Sequence, residues 1–170
     1  MGELAISSRE GDELIAIGLG SCIGLALIDP QAGVAGLAHV VLPQAQGSDG
    51  PASKFGDLVV PEMISRLERA GAVRRRLIAV LIGGARMFSL GASLDIGSRN
   101  AVAVRDALKA ARIKIHAEET GGNRGRTARV VLGQGVTSQL AGGARTSLLD
   151  LNQRALPGGA GRTGLAGASR

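Results

Sequence analysis

Two apolar runs, residues 23–28 and 34–42, are separated only by Asp29-Pro30-Gln31-Ala32-Gly33. Asp-Pro and Gly are turn formers, because Pro presets φ and Gly tolerates left-handed backbone. Apolar runs of this length bounded by such residues read as strands, and the short break joins them as an antiparallel hairpin. The runs are nearly continuous rather than alternating, so the hairpin is expected to be covered on both faces. A third run, 14–17, comes before them and is interrupted by Gly18-Leu19-Gly20-Ser21.

Beyond Pro43 the pattern changes. Residues 44–53 are rich in Gly, Ser and Pro and read as a loop. Residues 55–70 read as a helix, with Val60, Ile64 and Leu67 on one face and Glu62 paired to Arg66 one turn on. Pro61 conflicts with a helix running straight through, so the helix starts near it or bends there, and Gly71 is a natural stop. The basic run Arg74-Arg75-Arg76 precedes a predicted strand at 77–82 that ends at Gly83-Gly84. Ser98 is the expected cap of a helix over 99–111 that buries Ala101, Val104, Leu108 and Ala111. Strands are expected at 113–117, 128–132 and 147–151, with a Gly-rich polar loop over 118–126. Strand pairs mixed with two main helices make an α+β fold rather than a regular βαβ series. Residues 1–151 form the expected domain, and 152–170, rich in Gly, Ala and Arg, are expected to be a disordered tail.

Composition removes several classes of function. With two Phe, no Tyr and no Trp among 170 residues, the core must be aliphatic. No aromatic platform is available for stacking bases, which argues against recognition of single-stranded nucleic acid. The net charge is +6, and Arg154, Arg162 and Arg170 in the acid-free tail supply half of it. A solvated basic surface accounts for this better than a phosphate-binding stripe. No apolar run approaches the ~20 residues needed for membrane insertion. The first eleven residues contain Glu3, Arg9 and Glu10 and no apolar stretch of the secretory type, so a cytoplasmic location is expected. One Cys forbids a disulfide within the chain, and one Cys with two His is too few for a structural zinc cluster.

Cys22 stands directly after Gly18-Leu19-Gly20-Ser21, at the end of a predicted strand. A glycine turn can expose the next side chain and aim successive backbone N–H groups into one concavity. A thiolate nucleophile needs that access and those oxyanion donors. Equally, the glycines can simply make a tight turn that packs the thiol inward. His39 lies seventeen residues later, on the partner strand of the hairpin. Beside Cys22 it could take the thiol proton and return it to a leaving amine; in its apolar run it could also be a core histidine. His116 has no candidate nucleophile nearby and reads as structural. Arg86, Arg99, Asn100 and Arg124 sit in three polar, Gly-containing clusters and could bind acidic groups, organise a site, or only cap loops.

Five segments together carry a resemblance. Gly18-Leu19-Gly20-Ser21-Cys22, Ala38-His39-Val40-Val41-Leu42-Pro43, Gly83-Gly84-Ala85-Arg86-Met87-Phe88, Ile96-Gly97-Ser98-Arg99-Asn100 and Glu119-Thr120-Gly121-Gly122-Asn123-Arg124 occur in the order seen in the chemoreceptor glutamine deamidase family, CheD. The resemblance covers about 14–132. It implies a cysteine-hydrolase fold, a layered sandwich of two packed β-sheets with outer helices, and no metal or organic cofactor. It implies Cys22 as nucleophile and His39 as base, with backbone N–H groups around Gly20 and Ser21 as the oxyanion site. It implies, as partners, the cytoplasmic helical bundle of methyl-accepting chemoreceptors and, in some relatives, the phosphatase CheC. The family's third catalytic residue is a threonine six positions before the cysteine; Ala16 stands there in this chain, with Ser21 as a candidate substitute.

Overall fold

Strand formation follows the apolar runs, and sheet assembly follows from which faces they must cover. The computed structural model describes residues 1–47, 49–87 and 95–152. The chain opens with β1 (Leu4–Ser7), β2 (Glu13–Leu19), β3 (Ile23–Asp29) and β4 (Val34–Val40). After a 3-10 turn at Ala52–Lys54 come α1 (Val59–Arg69), a second 3-10 turn at Arg74–Arg76, and β5 (Ile78–Gly83). α2 (Ile96–Ala111), β6 (Lys114–Thr120), β7 (Arg126–Val131), β8 (Gly135–Leu140) and β9 (Arg145–Asp150) complete the order.

The strands form a five-stranded sheet, β1-β4-β3-β5-β6, and a four-stranded sheet, β2-β7-β8-β9. Pairing is antiparallel except between β5 and β6, which the α2 crossover makes parallel. On β3, Ile23, Leu25 and Leu27 pack with α1 and α2, while Ala26 and Ile28 pack against the other sheet. β4 divides in the same way, Val34, Ala38 and Val40 toward the helices and Ala35 and Leu37 toward the second sheet. Period-two alternation therefore holds, but both faces are apolar because both are covered. The result is the expected α+β arrangement of two packed sheets with the helices outside.

α1 starts at Val59, near Pro61 as expected, so Pro61 lies in the first turn, where its missing N–H costs no internal bond. Other local expectations are corrected. α2 starts at Ile96, and its cap is Asp95 rather than Ser98: the Asp95 carboxylate accepts the Ser98 N–H at 3.0 Å. The loop expected over 118–126 is shorter, because β6 runs on to Thr120 and β7 begins at Arg126. β1 and β8 were not legible as strands. β1 has four residues, and β8, Gly-Val-Thr-Ser-Gln-Leu, carries no apolar run. Of the tail 152–170, all but Asn152 lies outside the described residues, as does Phe88.

One buried ion pair ties the hairpin to the entry of β5. Asp29 is fully buried and accepts from the Arg76 guanidinium, with Nη2 at 2.7 Å, and from the backbone N–H groups of Val73 (2.8 Å), Gln31 (3.0 Å) and Ala32 (3.1 Å). Burial alone would raise the Asp29 carboxyl, but Arg76 and the three N–H groups outweigh it and hold it below the usual value. Removing the guanidinium strands a buried carboxylate, so Arg76→Met is expected to lose about 3 kcal/mol of stability. The lowered carboxyl stabilises the fold above its unfolded value, and that contribution disappears as pH falls through the folded value. The deficit, read by urea titration, should therefore shrink in acid; an equal deficit at all pH values would contradict the pairing.

Candidate active site

The turn carrying Cys22 is where the chain passes from one sheet to the other. β2 ends in the four-stranded sheet at Leu19, after a register irregularity between Ala16 and Leu19, and β3 begins in the five-stranded sheet at Ile23. Gly18 has φ +73° and its carbonyl accepts the Gly20 N–H at 2.9 Å, giving a reversal that a side chain would strain. The three carbonyls of the turn are then all held. Gly20 O accepts from Ala85 N–H at 2.7 Å, Ser21 O from Asn100 Nδ2 at 2.9 Å, and Cys22 O from Gly84 N–H at 2.8 Å.

The grip is built from backbone close approach. Gly83 has φ +113°, and a Cβ there would lie 2.3 Å from Cys22 O. A Cβ on Gly97, in the first turn of α2, would lie 2.5 Å from Gly84 O. Gly121 N–H donates to Gly83 O at 2.9 Å, and Arg86 N–H donates to Gly122 O at 2.8 Å. The glycine-bearing segments at 18–22, 83–87, 96–100 and 119–124 thus meet at one corner, and the segment after His39 joins them because Val41 O accepts from Asn100 Nδ2 at 3.0 Å.

In the β3–β4 ladder Gly24 stands opposite His39. Cys22 is two residues before Gly24, and its side chain joins the cluster on the His39 face, the one turned to the second sheet. Cys22 lies in the bend just before β3, outside the paired ladder that begins at Ile23↔Val40. No hydrogen bond joins Cys22 and His39: His39 Nε2 is buried without a partner among the described residues. Cys22 is 8% exposed and belongs to the buried cluster that also holds Leu19, Ala26 and Ile82. His39 lines a cavity of about 350 Å³ between β1, at the edge of the first sheet, and β2, at the edge of the second. Ala16 lines the same cavity, and the exposed Ile15 and Ile17 form its outer rim.

Burial sets the charge state of the pair. It pushes the Cys22 thiol above its ordinary value, opposed only by the positive N-terminal amino group. It pushes the His39 imidazole below its ordinary value, and that amino group lowers it further, against a raising effect from Glu3. At rest Cys22 is a thiol and His39 a neutral imidazole, the state from which an imidazole can act as a base, and Cys22 is not among the residues lining the cavity that His39 lines.

The other sequence-identified residues divide. Gly20 and Ser21 belong to the turn that carries Cys22; neither the Ser21 nor the Cys22 N–H donates to any acceptor among the described residues, and the Ser21 hydroxyl makes no hydrogen bond there. Arg86 is exposed and paired to Asp95 at 2.9 Å beside a polar cleft lined by Gly84, Ser98 and Gly121–Asn123. Arg99 is exposed on α2, and Arg124 donates to Ala141 O. Asn100 is 0% exposed, so it cannot meet a substrate in solvent as a binding residue would; its amide faces the backbone of the site instead. Sequence reasoning missed Asp95, whose carboxyl is lowered to about 2, chiefly by the Ser98 N–H, then by the Ser98 hydroxyl and Arg86. The Asp-x-x-Ser spacing was the available signal. It also missed Arg126, nearly buried, which donates to Gly121 O at 2.7 Å and pairs with Glu119.

Among the described residues no three His, Cys, Asp or Glu side chains group as metal ligands, and no helix is long and apolar enough to cross a membrane. Residues 41–139 match the family described as CheD chemotactic sensory transduction, a stretch that begins just after His39. The chain is 44% identical over 141 residues to a protein of Symbiobacterium thermophilum, covering 79% of this chain and 86% of the relative. It is 45% identical over 131 residues to one of Clostridium botulinum strain Alaska E43, covering 74% and 80% of the two chains. Identity to a protein of Archaeoglobus fulgidus is 42% over 129 residues, covering 75% and 81%. Each of the three is described as a probable chemoreceptor glutamine deamidase CheD. By the extent of that match and of those identities, the chain belongs to the CheD family.

Proposed function

We propose that this protein deamidates glutamine side chains on the cytoplasmic helical bundle of methyl-accepting chemoreceptors, with Cys22 as nucleophile and His39 as base. The observation carrying the reading is that the thiol, in a turn whose three carbonyls are held, and the imidazole, on the neighbouring β4, both neutral at rest, lie on the side turned to the second sheet. The relatives' names supply the substrate class.

The reaction proceeds in two halves. The Cys22 thiol gives its proton to His39 as the sulfur bonds to the carboxamide carbon, and the oxygen of that carbon takes up negative charge. The N–H groups of Ser21 and Cys22 are the donors for that oxyanion. The C–N bond then breaks as imidazolium returns the proton to nitrogen, releasing ammonia and leaving a thioester. Water attacks the thioester with His39 taking its proton; the S–C bond breaks, sulfur recovers a proton, and glutamate is released. The receptor gains a negative charge, and the same machinery can hydrolyse a glutamyl methyl ester. A CheC-type phosphatase as second partner rests on the family resemblance alone.

The test is mass spectrometry of a receptor cytoplasmic fragment after incubation with wild type and with Cys22→Ala. Each converted glutamine adds about 1 Da by the thioester route, and Cys22→Ala is expected to add nothing. A second reading, an adaptor that binds receptor without chemistry, is favoured by one observation: Ala16 offers no hydrogen bond in the cavity where His39 Nε2 lacks a partner. Receptor binding with no mass change in wild type would establish that reading instead.

A further inference from the structure

Asn100 is the only side chain among the described residues that bonds both arms of the reactive hairpin. It rises from the second turn of α2, is fully buried, and spends both hydrogens of one nitrogen on two carbonyls: Ser21 O at 2.9 Å and Val41 O at 3.0 Å. Ser21 precedes the nucleophile, and Val41 lies two residues after the base. Its Oδ1 is buried and unpartnered among the described residues, so the side chain carries an uncompensated desolvation that an apolar residue of the same size would avoid. A helix residue placed only to fill space would not keep that arrangement.

We infer that Asn100 is a positioning residue for the reaction: its carboxamide fixes the direction of the Cys22 N–H and the spacing between the thiol turn and the His39 strand. The inference rests on the proposed roles of Cys22 and His39. Its physical basis is the planar trans peptide, in which C=O and N–H point opposite ways. Holding Ser21 O toward α2 turns the Cys22 N–H away from α2. The neighbouring carbonyls, Gly20 O and Cys22 O, are held by the Ala85 and Gly84 N–H groups, so each plane of the turn is set by its own bond. Without the Asn100 bond, the Ser21–Cys22 plane has no described partner and can rotate, and the oxyanion donor loses its fixed aim. Nδ2 suits this role because it offers two donors at one point; a carboxylate there would repel both carbonyls and a hydroxyl can reach only one.

Cys22 is the only thiol in the chain, so alkylation by iodoacetamide reads this turn without substrate. Asn100→Ser and Asn100→Asp are compared with wild type and with Leu108→Val, a core change on the same helix that destabilises without touching the site. At a temperature where each is folded by circular dichroism, kcat for receptor deamidation in the Asn100 variants is expected to fall about 10²-fold, as for loss of one oxyanion donor, with KM within about twofold. The pH dependence of Cys22 alkylation should shift, and Leu108→Val should change neither. Folded Asn100 variants with wild-type kcat and alkylation profile would overturn the inference, whereas absent deamidation in wild type would instead remove the proposed function. Should both variants fail to fold, the wild-type protein decides by NMR. The two Asn100 Nδ2 hydrogens should exchange slowly and shift when Cys22 is alkylated; rapid exchange of either refutes the clamp.

Discussion

Deamidation by the His39→Gln variant is expected to fall about 10²- to 10⁴-fold in kcat with little change in KM, the range a positioned general acid–base group contributes. Burial raises the Cys22 thiol, so without an imidazole almost none of it ionises near neutrality. Glutamine keeps a polar group of similar reach but cannot take a proton. The wild-type pH profile carries a further signature. Burial is the main cause that lowers His39, so the acid limb of kcat/KM should lie below the ordinary imidazole value of about 6.5. The sign follows directly: the neutral imidazole is the working form, and it persists down to the depressed folded-state value. The same lowering stabilises the fold above the unfolded value and is lost as pH falls through the folded one. His39→Gln should lack that acid limb. Equal kcat in variant and wild type would remove His39 from the mechanism.

Gly83→Ala is the second large effect, and it acts through space rather than chemistry. The new Cβ would sit 2.3 Å from Cys22 O on backbone with φ +113°, which L side chains rarely adopt. Relief requires moving either β5 or the reactive turn, and moving the turn breaks the Gly84 N–H bond to Cys22 O. A stability loss of about 2–4 kcal/mol is expected from strain and overpacking together. Activity per folded molecule should fall about 10²-fold, because the oxyanion donors are displaced with the turn. Thermal melts and deamidation rates on the folded fraction separate the two losses. Normal turnover in a destabilised variant would show that the held turn is not needed for catalysis.

Much of the framework was legible because the sequence signals are local. The β3–β4 hairpin follows from two runs and an Asp-Pro break, and their continuity correctly implied cover on both faces. β8 was not legible because Gly-Val-Thr-Ser-Gln-Leu holds only two apolar side chains and no apolar run, although its partners β7 and β9 adjoin it in the chain. The start of α2 was misread because Ile96-Gly97 looks like loop; only the approach of Gly97 to Gly84 O explains a glycine in a helical first turn. At the site, Cys22 and His39 stand out by residue type, and both lie on the side turned to the second sheet. The true situation of Asn100 could not be read, since a helical asparagine is ordinarily exposed, and its partners are 79 and 59 residues away.

Main-chain groups supply most of the grip on the turn at Gly20–Cys22, with Asn100 adding the only side-chain bond described there. Peptide dipoles neither titrate nor attract counter-ions, so ionic strength and moderate changes of acidity leave the cradle's shape alone while still altering the reactive pair inside it. Sequence drift meets the opposite limit. Surface charges around the corner can change freely, but a single methyl group at 83 or 97 intrudes where two backbone segments already touch. The boundary on variation in this corner is therefore one of volume more than of chemical kind.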